Sequence, residues 1–127
     1  MHVGRPSSEA RQIYAAVLEA QQAAIATVRP GVSAGDVDSA ARKVLRKSNL
    51  ARYFTHSTGH GLGLEIHEAP RLAAGQPQEL EPGMVITIEP GAYIPGRMGV
   101  RIEDVVVVTP SGRDVLAPAD KELIVVE

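Results

Sequence analysis

Glycine and proline divide this chain into two parts with different backbone rules. Up to Asn49 they are sparse and the apolar residues recur at helical spacing. From Gly59 onward one or the other appears every few residues, which leaves no room for a long helix. In the first part, Ser7 or Ser8 can cap a helix that begins near Pro6. Its core stripe is Ile13, Val17, Ala20, Ala24 and Val28, and Arg29-Pro30-Gly31 ends it. Ser33, with Asp36 three residues on, starts a second helix whose apolar face is Val37, Ala40, Ala41, Val44 and Leu45. Arg42, Lys43, Arg46 and Lys47 suit the negative end of its dipole.

In the second part the apolar period becomes two. Met84 to Glu89 alternates, with Met84, Ile86 and Ile88 on one face and Val85, Thr87 and Glu89 on the other. Val100 to Val108 continues the sheet, Pro110-Ser111-Gly112 reads as a hairpin turn, and Glu122 to Val126 as a last short strand. Helices followed by strands predict an α+β fold, two helices packed on one face of an antiparallel sheet, as a single domain over residues 1–127. Aromatics are only 3%, so Val, Ile, Leu and Ala must build the core.

Composition narrows the function classes. The formal charge of −2 comes with no dense basic stripe, which argues against nucleic acid as a partner. No apolar run approaches the roughly 20 residues of a membrane span, and the N-terminus carries no signal pattern, so no membrane partner is expected and the cytoplasm is the expected location. With no cysteine, any metal must be held by histidine and carboxylates.

Three segments concentrate the chemistry. In His56-Ser57-Thr58-Gly59-His60-Gly61-Leu62-Gly63-Leu64-Glu65-Ile66-His67-Glu68, three of the four histidines fall within twelve residues. A helix placing His56 and His60 on one zinc-binding face would include Gly59, Gly61 and Gly63, each costing about 1 kcal/mol. A phosphate cradle would need a third glycine at position 66. A glycine-rich turn with incidental histidines is the plain alternative for any one of them. In Thr87-Ile88-Glu89-Pro90-Gly91 a carboxylate ends an apolar strand, where an exposed strand end is the competing explanation. In Val100-Arg101-Ile102-Glu103-Asp104, Arg101 and Glu103 share a strand face, where a surface ion pair would be worth little. If these strands pair, Glu89 and Glu103 converge, and two carboxylates with an imidazole suit a hard or borderline divalent ion.

Taken together, GHGLGLEIHE, TIEPG and RIED, in this order and spacing, resemble the pita-bread metallopeptidases, the group of Xaa-Pro aminopeptidases, prolidases (Xaa-Pro dipeptidases) and methionine aminopeptidases. The likeness extends over nearly the whole chain, including GRPSSEARQIY. It implies that His60 and Glu89 ligate one metal and that Glu103 bridges two. It implies that His67 contacts substrate and helps stabilise the tetrahedral intermediate, with His56 close to the same group. His56, four residues before the ligand histidine, and Arg101, two before the bridging glutamate, resemble the Xaa-Pro branch, in which Tyr93 would work with Arg101 in a proton relay.

The resemblance implies two divalent ions, Mn, Co or Zn, and a bridging hydroxide that attacks peptides with proline in second position. Glu89 would carry the proton to the leaving amine. The family's other two ligands are aspartates on a hairpin preceding the segment that corresponds to His2-Val3-Gly4-Arg5-Pro6. None of Asp36, Asp38, Asp104, Asp114 or Asp120 stands in such a context. The chain is therefore expected to be the C-terminal half of the catalytic domain with the N-terminal half absent, inactive by itself, and either homo-oligomeric or paired with the missing half. A non-catalytic binding or assembly module is the alternative from another class, and a metal-free, creatinase-like amidinohydrolase is a third.

Overall fold

A computed structural model of the chain describes residues 8–62 and 70–116. Helix α1, Ser8–Thr27, and helix α2, Ala34–Lys47, lie against each other, and the stripes expected from the sequence form their contact: Ile13, Val17, Ala20 and Ala24 from α1, Val37, Ala41 and Leu45 from α2, all buried. The alanines keep the two backbones close. Ser8 is the first residue of α1, and Ser7 lies outside the described residues. Ser33 caps α2 as expected, its hydroxyl accepting the Asp36 N–H at 3.0 Å.

Short antiparallel strands follow. β1 (Gly59–His60) pairs with β2 (Arg71–Leu72). β3 (Val85–Ile88) pairs with β6 (Asp104–Thr109), which also pairs with β7 (Gly112–Leu116). β4 (Gly91–Ile94) pairs with β5 (Met98–Arg101). The turn at Pro110-Ser111-Gly112 joins β6 to β7 as expected. The anticipated strand Glu122 to Val126 lies outside the described residues.

Val100 to Val108 continues the sheet as expected, divided between β5 and β6. It breaks between Arg101 and Asp104, opposite the break between Ile88 and Gly91 in the partner. Both pairings nevertheless keep a single register, with Ile88 opposite Asp104 and Gly91 opposite Arg101. The two ladders are thus one long hairpin interrupted where Glu89 stands across from Glu103. The cause is local: Pro90 has no N–H to give, and the Glu89 N–H goes to the Thr58 carbonyl at 2.6 Å.

The expected alternation of β3 also differs in outcome. Ile86, Thr87 and Ile88 are all buried, because the histidine segment covers the face that would otherwise meet solvent. Gly61 bridges to Ile86, and the Leu62 N–H reaches the Val85 carbonyl at 2.7 Å. Helix α1 is tied to this hairpin by a buried polar contact, Gln21 Nε2 donating to Asp104 Oδ2 at 2.6 Å. Among the described residues no helix is long and apolar enough to cross a membrane.

Candidate functional site

Gly59 decides how closely the histidine segment can approach the sheet. A β-carbon there would stand 1.8 Å from the Thr87 carbonyl oxygen, a separation no side chain allows, so only glycine lets β1 lie against β3. Two hydrogen bonds fix that approach: the Glu89 N–H to the Thr58 carbonyl, and the His60 N–H to Thr87 Oγ1 at 3.1 Å. The result is that His60 and Glu89, 29 positions apart in sequence, face one another, with Nε2 3.9 Å from Oε2.

Hydrogen bonding also selects the histidine tautomers. His60 Nδ1 lies 3.0 Å from the Gly61 carbonyl oxygen, which can only accept, so Nδ1 carries a hydrogen and Nε2 is the nitrogen turned toward Glu89. Ligand histidines are oriented in this way, with one nitrogen held by a carbonyl and the other free for the ion. His60 is about half exposed and Glu89 mostly covered, so a solvated ion has access to the pair. An imidazole nitrogen and a carboxylate oxygen with a gap between them form a donor set that fits a divalent ion. Among the described residues no cluster of three or more His, Asp or Glu side chains is assembled. Glu103 stands across the hairpin from Glu89 with its side chain exposed.

His56 occupies the covered end of the site. Its Nδ1 lies 2.8 Å from the Ser57 carbonyl oxygen, so Nδ1 bears the hydrogen and Nε2 accepts the Tyr93 hydroxyl proton at 2.8 Å. Phe54 stands edge-on to the His56 ring, with centroids 5.0 Å apart. The Arg101 charge acts on the same phenol, so Arg101, Tyr93 and His56 link the hairpin to the histidine segment. Sequence reasoning joined Tyr93 to Arg101. The direct Tyr93 to His56 contact, across 37 residues, has no local signature. His67 lies outside the described residues.

Burial raises the Tyr93 phenol pKa above its ordinary value, Arg101 offsets part of that, and the Glu89 charge adds to the rise. A phenol held neutral by the fold stabilises it below the ordinary value of about 10 and loses that contribution as pH rises through the raised value. Tyr93→Phe is therefore expected to remove a late-titrating phenol from the ultraviolet titration and to lessen the alkaline loss of stability. The spectrum suits the measurement, with three tyrosines and no tryptophan. A titration curve that loses an ordinary phenol instead would contradict the assignment.

Over residues 1–110 the sequence matches the metallopeptidase family M24. It is 51% identical over 124 residues to a Mycobacterium tuberculosis protein named probable dipeptidase PepE, covering 98% of this chain and 33% of that protein. It is 48% identical over 122 residues to the Xaa-Pro dipeptidase of Pyrococcus furiosus, covering 96% of this chain and 35% of the relative. The fold superposes on the prolidase structure from Pyrococcus horikoshii with a TM-score of 0.91 at 46% identity, over 98% of this chain and 36% of that one. The chain thus spans about a third of the length of these relatives, corresponding to their C-terminal part.

Proposed function

The chain belongs to metallopeptidase family M24 and has its pita-bread fold, and from that premise we propose that it contributes one side of the active site of an Xaa-Pro dipeptidase-like peptidase, acting on peptides with proline in second position. The observation that carries the reading is the opposed pair His60 Nε2 and Glu89 Oε2, with the Tyr93 to His56 hydrogen bond alongside. His60, Glu89 and Glu103 would hold metal, completed by ligands from outside these residues; the ions, Mn, Co or Zn, would supply Lewis acidity toward the scissile carbonyl and acidify water.

The residues of the chain divide the remaining work. Glu89, at the broken step of the hairpin, holds a proton and passes it to the leaving amine. His56, kept in one tautomer by Ser57 and Tyr93, presents a polar edge near the substrate carbonyl, where His67 joins it by resemblance. Arg101 keeps a positive charge beside the Tyr93 hydroxyl.

The test is a chimera in which this chain replaces the corresponding third of the Pyrococcus furiosus Xaa-Pro dipeptidase. With added Mn²⁺ or Co²⁺ it is expected to cleave dipeptides with proline second in preference to dipeptides without it, and to stop when a chelator is added. A folded chimera that binds metal yet cleaves no Xaa-Pro dipeptide would overturn the reading.

A further inference from the structure

One charged pair on helix α2 holds the segment that carries both histidines. Asp38 is fully buried. Its Oδ1 accepts the Thr58 N–H at 3.2 Å and the Thr58 hydroxyl at 2.8 Å, and its Oδ2 accepts Arg42 Nε at 2.7 Å. Arg42, one turn on, uses its other two nitrogens on main-chain carbonyls: Nη1 donates to Phe54 at 3.0 Å and Nη2 to His56 at 2.8 Å. The guanidinium also lies over the Phe54 ring, 4.2 Å from its centroid, and that ring stands edge-on to His56.

The pair therefore grips residues 54, 56 and 58, every second position of the run that delivers His56 and, two residues past Thr58, His60. We infer that Arg42 and Asp38 are positioning residues of the site: they set the direction in which His56 meets Tyr93 and His60 meets Glu89. The inference rests on the peptidase reading above and deepens it.

Elementary energetics separate this role from ordinary helix stabilisation. An exposed pair four residues apart on a helix contributes little and needs no partner elsewhere. Here each member spends its remaining hydrogen-bonding capacity on a segment 12 to 20 residues further along. The planar guanidinium serves a carboxylate and two carbonyls from three separate nitrogens. A lysine would keep the charge and lose that geometry.

The experiment uses the 127-residue chain with ring-labelled histidine, and reads by NMR the His56 tautomer signals and the cross-peak between the His56 and Tyr93 rings. Arg42→Lys is expected to keep the amide pattern of α1 and β6 while losing the ring cross-peak and averaging the His56 tautomers. Arg42→Ala is expected to lose the same signals and to regain them with millimolar methylguanidinium. Unchanged His56 signals in Arg42→Lys, or signals lost only together with the α1 and β6 amides in both variants, overturn the inference. The readout needs neither metal nor substrate, so its failure is distinct from failure of the peptidase reading.

Discussion

Gly59→Ala is expected to be the most damaging glycine-to-alanine change among the described residues. The added carbon would stand 1.8 Å from the Thr87 carbonyl oxygen and 2.7 Å from its carbon, both backbone atoms of a strand buried on both faces. Neither side can yield by rotating a side chain, so β1 must separate from β3. That separation breaks the Glu89 to Thr58 and His60 to Thr87 hydrogen bonds and exposes the apolar face between them. Overpacking in a well-packed interior costs about 1 to 3 kcal/mol and occasionally more, and a backbone clash belongs at the upper end. For a chain of this size a 3 kcal/mol loss lowers the unfolding midpoint by roughly 10 °C. Thermal unfolding followed by circular dichroism gives the answer. A midpoint within about 2 °C of wild type would mean that the histidine segment does not lie against β3 as described.

Glu89→Gln is expected to show the opposite signature, an intact fold and lost chemistry. Glutamine keeps the size of the side chain and the backbone N–H that Thr58 needs. It removes the negative charge facing His60 Nε2 and the ability to accept and return a proton. General acid–base groups typically contribute a factor of about 10² to 10⁴, and loss of a metal-holding carboxylate adds to that. In the chimeric dipeptidase, kcat is therefore expected to fall by at least about 10³, with metal affinity weakened and the unfolding midpoint nearly unchanged. A loss of less than about tenfold would remove Glu89 from both assigned roles. The comparison is sharpened by Gly59→Ala, which should lose activity and stability together.

Much of the fold was legible because its signals are local. The stripe from Ile13 to Val28, the Ser33 cap with Asp36, and the turn at Pro110-Ser111-Gly112 each depend on residues within a few positions of one another, and each stands where the pattern puts it. The motifs around His60, Glu89 and Glu103 were visible for another reason. Metal and proton chemistry admits few residue types, so three such motifs in order are specific even before they are brought together. The interruption of the ladder within Val100 to Val108 leaves no local sign, because apolar alternation continues through Ile102. What breaks the ladder is a missing N–H at Pro90 on the partner, together with the demand of Thr58 on the Glu89 N–H.

By itself, then, the sequence determined the two amphipathic helices, the strand-rich second part, and the residue types able to hold a divalent ion. It did so through short-range periodicity and chemical scarcity. Tertiary structure alone decided which nitrogen of His60 faces Glu89, that His56 accepts a hydrogen bond from the Tyr93 hydroxyl, and that Arg42 grips the histidine segment instead of only complementing a helix dipole. The contacts behind those outcomes mostly join residues 12 to 37 positions apart, and even the one-residue bond from His60 to Gly61 acts only because β3 brings Glu89 opposite. Their geometry follows from how close Gly59 allows two backbones to come, and no periodicity in the chain encodes that distance.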